Sequence, residues 1–279
     1  MLSFVAALLL WSVLYSFLAN AVHPRTEITA AAVSREYIEV FSPSEQDAIT
    51  VLFMGVEALR TPPDAYLLAR FDPAQGIVAL TALPGNMQVH NEGRQESLAQ
   101  VYAFGGAQYT RSLLARELDI TIDRFVRLTP ESFVGAAAAI GSIEFSLPEA
   151  MTVVQDGVSL ELLPGLQLLD GRRTLQVIQH RYGDGARRLD MLTRLAAAII
   201  EQRRDVIVSA VIDHIFERII NIIDSDISYA DYIALRPAGE YFAELPGPVT
   251  HIVAFSGTGE DGRIVASDTY VAQVRRYFG

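Results

Sequence analysis

Three short apolar runs between residues 49 and 83 limit what this chain can fold into more than any other feature. Residues 49–54, Ile-Thr-Val-Leu-Phe-Met, are β-branched and apolar and stop at Gly55. A polar, proline-bearing loop follows, residues 57–64, and then a second apolar run, 65–71. Asp72-Pro73 with Gly76 supplies a turn, and a third run, 77–83, ends at Pro84. Runs of this length bounded by Gly and Pro read as buried strands. Three in a row predict the centre of a sheet. The loop after the first carries Arg60 and Asp64 to a strand end, where ligands of open α/β sheets usually sit.

Downstream, helix and strand patterns alternate. Residues 87–99 are polar and read as an exposed loop or short ribbon. His90 lies in it, and a lone His in a polar loop is ordinarily solvated. Gly105-Gly106 precedes a helical pattern over 107–118, and 120–128 alternates as a strand. Thr129-Pro130-Glu131 combines a capping hydroxyl, Pro at the first helical position and an acid in the first turn, so a helix is predicted from there to Gly141. Residues 143–147 form the next strand, with 158–163 pairing nearby. A helix begins at Asp170-Gly171, and a long helical pattern over 189–223 breaks near 203–205. Ser228 caps a short helix through Leu235. Residues 240–245 and 249–255 read as strands, and Ser267 or Asp268 starts a final helix to Tyr277. The pattern predicts an α/β fold with a central mixed β-sheet flanked by helices.

Composition excludes several functions. The chain of 279 residues has a net charge of −11, which argues against nucleic-acid binding, since that needs a basic face to displace counterions. It has no cysteine, so disulfides, thiolate metal sites and a Cys nucleophile are excluded. All 22 basic residues are Arg, which removes a Schiff-base lysine and a P-loop lysine. Residues 2–22 carry no charge and are long enough to span a bilayer as a helix, at about 1.5 Å per residue against a core of ~30 Å. A signal anchor is the reading adopted. A cleaved signal is the rival, because Ala19-Asn20-Ala21 has the small-x-small form of a cleavage site. Residues 23–48 read as a linker, 49–223 as the domain and 224–279 as a part completing it.

Positive charge gathers late in the chain. Arg172, Arg173, Arg181, Arg187, Arg188, Arg194, Arg203 and Arg204 face only Asp184, Asp190 and Glu201 within the same stretch. Such a cluster in an acidic protein suits an anionic ligand, since the planar guanidinium donates two parallel hydrogen bonds to phosphate. A solvated helix face salted by neighbouring acids is the other reading.

Taken together, the motifs resemble the LytR-CpsA-Psr (LCP) family. Its opening, a strand ending in Gly, a loop with Arg and an Asp before the second strand, is matched by residues 49–64. The resemblance continues through Tyr102-Ala103-Phe104-Gly105-Gly106, Ala139-Ile140-Gly141-Ser142-Ile143-Glu144-Phe145 and residues 163–171. It ends in an arginine box over residues 179–194. It implies an LCP-like α/β/α domain behind a transmembrane helix, on the extracytoplasmic side of the cell membrane. It also implies an apolar tunnel for a polyprenyl pyrophosphate lipid, transfer of a glycopolymer from that carrier to a cell-wall acceptor, and Mg2+ beside a carboxylate. Carried onto this chain, Asp64 and Arg181 are the catalytic candidates, and Arg60, Arg181, Arg187 and Arg188 bind pyrophosphate. Asp64 and Glu57 are the metal ligands. Gly85, Asn86 and Gln179 stand where the family has Arg or Asp, and its "RQ" pair has no match. The alternative is therefore an LCP-like module that binds a lipid carrier or wall partner without turnover.

Overall fold

The computed structural model describes residues 41–155, 158–180, 185–208, 220–259 and 262–279. The predicted membrane segment, residues 2–22, and Arg181 lie outside them. No helix among the described residues is long and apolar enough to cross a membrane.

A 3-10 turn at Glu45–Asp47 leads into β1 (Ile49–Gly55), β2 (Ala65–Asp72) and β3 (Ile77–Pro84), the three predicted strands. They pair as an antiparallel meander. The polar stretch after them is a hairpin, β4 (Gln88–Asn91) and β5 (Arg94–Ser97). Helix α1 (Leu98–Leu118) starts earlier than the periodicity predicts, because Ser97 accepts from the Gln100 amide and closes a capping box. Gly106, at φ 69°, kinks it where the helical pattern was expected to begin. Then come β6 (Arg124–Leu128), α2 (Pro130–Ile140), β7 (Ile143–Leu147), the hairpin β8 (Met151–Gln155) and β9 (Val158–Leu162), and β10 (Gly165–Leu169). Helices α3 (Gly171–Gln179) and α4 (Gly185–Val208) follow, then β11 (Asp224–Ser225), α5 (Tyr229–Ala243), β12 (Thr250–Ile252), the short pair β13 (Gly257–Thr258) and β14 (Val265–Ala266), and α6 (Asp268–Phe278).

The main sheet has the order β11-β6-β1-β2-β3-β12. It is mixed: β6 runs parallel to β1 and β12 parallel to β3, the other neighbours being antiparallel. Alternation along β1 sends Thr50, Leu52 and Met54 to one face, where they are buried. There Leu52 and Met54 pack with Tyr66, Leu68 and residues of α1 and α6, in a core of 21 buried residues. The opposite face carries Ile49, Val51 and Phe53, which are only half covered. Helices α2 to α5 lie on that side, and two cavities remain beneath them.

Two local readings are corrected. Residues 240–243 are not a strand but the last turn of α5, which runs through Pro237. Pro237 has no N–H to donate to the Ile233 carbonyl, and Ile233 lies at the surface, where a carbonyl without its helical partner is open to solvation. The strand read over 120–128 begins only at Arg124, once Asp119 has closed α1 in the left-handed region at φ 54°.

Candidate functional site

Three elements build the candidate site: the loop after β1, the residues that moor it, and the first turn of α4. The ladder of β1 and β6 is prolonged by Val56, whose amide donates to the Leu128 carbonyl at 2.9 Å. The loop is then tied from below at Leu59. Its carbonyl accepts from the buried Tyr102 hydroxyl at 2.9 Å and from Arg127 Nη1 at 3.1 Å. Arg127 also ion-pairs with Asp224. Burial works against its charge, but the Tyr102 hydrogen bond and the fields of Tyr102 and Asp224 outweigh that and hold its pKa above the ordinary value. Arg127 is therefore a fixed cation under the loop.

On this mooring Glu57, Arg60 and Asp64 face solvent. Asp64 Oδ2 lies 3.3 Å from Arg188 Nη1, with Asp64 79% and Arg188 34% exposed. This contact brings together two residues 124 apart in sequence. Arg187 points elsewhere, to Glu149 at 3.2 Å. Neither Arg60 nor Glu57 makes an ion pair with a described residue.

Two of the positions where family charges are absent, Gly85 and Asn86, are taken up by local contacts. The Gly85 amide donates to the Asp64 carbonyl at 2.7 Å. A Cβ at Gly85 would stand 2.6 Å from the Pro63 carbonyl oxygen and 3.0 Å from that of Asp64. The close approach of β3's end to the loop leaves no room for a side chain. Asn86 Nδ2 donates to the Gly262 carbonyl at 2.6 Å, so that side chain is spent on the C-terminal loop. Gln179, at the end of α3, is exposed. Sequence reasoning missed Arg127 as a mooring residue. Its signal was the YAFGG motif, whose Tyr102 shares the Leu59 carbonyl.

Among the described residues no three His, Asp or Glu side chains converge to hold a metal. The donors present still suit Mg2+, which typically takes one or two carboxylates and completes its shell with substrate phosphate and water. Asp64 supplies one exposed hard oxygen donor group, and Glu57 lies on the same loop.

Beneath the sheet, one cavity of 320 Å³ is lined by Phe53, Val126, Phe133, Ile143, Ile199 and their neighbours. A second, of 410 Å³, is lined by Ile49, Phe71, Ile200, Leu235, Phe242 and others. Both are almost wholly apolar, and Phe53 and Ile227 border both. Phe53 sits two residues before Gly55, where β1 gives way to the loop.

Known proteins share this fold. The crystal structure of Bacillus subtilis TagV superposes with a TM-score of 0.70 at 20% identity, covering 83% of this chain and 95% of that one. A protein solved from Eubacterium siraeum DSM 15702 gives 0.78 at 17% identity, over 88% and 96%. In sequence, the teichoic acid transferase TagU of Halalkalibacterium halodurans is 26% identical over 127 residues, 43% of this chain and 41% of its own length. TagV of Bacillus subtilis strain 168 is 22% identical over 237 residues, 79% of this chain and 59% of its own. The chain thus spans about half the length of the curated relatives it matches. The LytR_cpsA_psr family profile matches residues 15–261, and the chain belongs to that family.

Proposed function

We propose that this protein is a membrane-anchored, extracytoplasmic transferase that moves a glycopolymer from a polyprenyl pyrophosphate carrier to the cell wall. The observation that carries the reading is the pair of apolar cavities meeting at Phe53, two residues from the strand end where the Asp64–Arg188 loop begins. An isoprenoid chain matches such a lining, and its phosphates match a cationic rim. Relatives named as polyisoprenyl-teichoic acid–peptidoglycan teichoic acid transferases support the substrate class.

Cleaving the carrier linkage builds negative charge on the departing phosphate. Guanidinium groups held in place before the reaction stabilise that charge as it forms. Arg188 donates to phosphate, and Asp64 orients it. Arg60 and Arg181 complete the cationic rim, and Arg187 joins it only by leaving Glu149. Asp64 and Glu57 would hold Mg2+, which when bound neutralises phosphate charge. Arg127 and Tyr102 fix the loop without touching substrate.

A second reading, carrier binding without turnover, is favoured by the filled space at Gly85 and the engaged Asn86. Incubating the full chain with lipid-linked glycan and Mg2+ separates the two. Turnover that disappears in Asp64→Ala supports the transferase. Polyprenyl phosphate raising the unfolding temperature with no turnover supports the module. No thermal shift with any polyprenyl phosphate would reject both.

A further inference from the structure

Phe104, on α1, is 82% exposed, more than any other large apolar side chain among the described residues. A single exposed apolar residue needs no explanation by itself. The setting of this one, however, is built by the chain around it. Its ring meets Tyr109 edge-on, with centroids 5.9 Å apart and planes at 61°. Tyr109 is held in turn. Its hydroxyl donates to Oδ1 of the buried Asn91 at 2.7 Å, and Asn91 Nδ2 donates to Glu96 at 2.8 Å. Both glycines between the rings serve the pair. Gly106 takes the φ of 69° that kinks α1, and a Cβ at Gly105 would stand 2.4 Å from Tyr109 Cδ1. The chain gives up two side chains and a regular helix to set a backed aromatic ring in solvent.

What the ring can hold follows from its surroundings. Residues 98–110 carry no charge in a chain of net −11, and the exposed Gln108 adds a neutral amide. The negative face of an aromatic ring attracts weakly polarised C–H groups, and an amide hydrogen-bonds hydroxyls. Together they suit the C–H face and hydroxyls of a sugar ring, and they give an anion no hold. Position then says which sugar. At the start of α1 the Ala99 amide donates to the Gly85 carbonyl at 2.9 Å, and Gly85 donates to the Asp64 carbonyl. Phe104 lies about one and a half turns further on, about 7.5 Å along the helix axis. Helix α1 packs on the Leu52–Met54 face of the sheet, whereas Phe53 on the opposite face lines both apolar cavities. A carrier lodged in the cavities reaches the loop from one side of the sheet. Phe104 stands on the other, the side left for an acceptor.

We propose that Phe104, backed by Tyr109, is the stacking platform for a sugar ring of the cell-wall acceptor. The proposal rests on the transferase reading above, so one arm of its test needs no turnover.

The chain has one tryptophan, Trp11. The full chain carrying Trp11→Phe and Phe104→Trp is reconstituted in phosphatidylcholine vesicles and titrated with chitotetraose, a neutral N-acetylglucosamine oligomer. The expected result is the emission of an exposed indole that shifts to the blue and saturates as the saccharide is added. No response to the saccharide would overturn the proposal. So would quenching by brominated acyl chains before any saccharide is present, the sign that the bilayer covers the ring. A blue shift that grows with protein density alone would do the same, since a second copy would then be the occupant. In the transfer assay, Phe104→Leu keeps apolar bulk but has no π face. It should raise the acceptor KM about tenfold and leave the carrier KM unchanged, with Phe104→Trp close to wild type. A rise in the carrier KM instead would place the donor's sugars there and overturn the proposal. If the wild type transfers nothing, the transferase reading fails, and the fluorescence titration still decides whether the ring holds a sugar.

Discussion

Two groups of arginines in this molecule do opposite things. At the β6 edge, Arg111, Arg124 and Arg127 are each bound to an acid about a hundred residues away: Asp226, Asp231 and Asp224. Arg124 grips Asp231 through two bonds, at 2.9 and 2.5 Å, and the same carboxylate caps α5 by accepting from Ser228. At the loop end, Arg188 meets one exposed carboxylate at 3.3 Å, and Arg60 meets none among the described residues. The first group clasps β11 and the start of α5 to the sheet, and so holds Ile227 over the cavities. The second has donors left over beyond its described contacts, which the proposed function assigns to an outside anion. Arginine content alone does not mark a phosphate site. What marks it is how much of each guanidinium is already committed.

The sharpest way to break this contrast is Arg124→Ala. It leaves Asp231 largely buried without its cation, and unfolding free energy should drop by about 2–3 kcal/mol, measured by urea titration. Arg124 holds the Asp231 pKa well below the usual carboxylate range, helped by Ser228 and against burial. A depressed carboxylate stabilises above its unfolded pKa of about 3.9, and that contribution disappears as pH falls through the folded value. The gap between wild type and Arg124→Ala should therefore be flat from neutral pH to about pH 5 and narrow below about pH 4. A gap that widens in acid would show that the pair is not what clasps this edge.

How far each group could be read in sequence follows from the same difference. The β1–β3 meander was legible because β-branched runs, Gly and Pro are local signals. So were the starts of α2 at Thr129-Pro130 and of α6 at Ser267, since a cap is written within four residues. The end of α5 was not, because Tyr241-Phe242-Ala243 alone reads equally as a strand and Pro237 reads as a stop. Its helical fate comes from Phe242 packing edge-on against Phe71 at 5.0 Å. The position of Asp64, in the loop just before β2, was legible from its place between two apolar runs. Arg127 was not, since its partners Leu59, Tyr102 and Asp224 come from three distant segments. Nor could the sequence show why Gly85 replaces a charged residue, because that depends on the distance to the Pro63 carbonyl.

Gly85→Arg sharpens the comparison from the other side, by adding an arginine where no space exists. Its Cβ meets backbone, which cannot step aside as a flexible side chain would. The variant should lose about 1–3 kcal/mol, read as a lower unfolding temperature, and should not gain carrier affinity. A stable variant that binds carrier more tightly would mean the loop yields easily, and that the missing arginine is a tunable loss.

The smallest stability effect belongs to Arg188→Ala, and its smallness is the point. The Asp64–Arg188 pair is exposed on the Asp64 side, and water and salt replace it at little cost, so the change should stay within about 1 kcal/mol. Affinity should behave differently. Removing a charge-assisted bond to phosphate is worth roughly 1.5–3 kcal/mol, or about a 10- to 100-fold weaker polyprenyl phosphate complex, measurable by calorimetry in detergent. Arg187→Ala should weaken binding less, because Arg187 already leans on Glu149. If Arg188→Ala instead costs as much stability as Arg124→Ala while leaving affinity intact, the two groups are alike. The loop arginine would then be one more structural clasp, and the cationic rim would have to be sought on another segment.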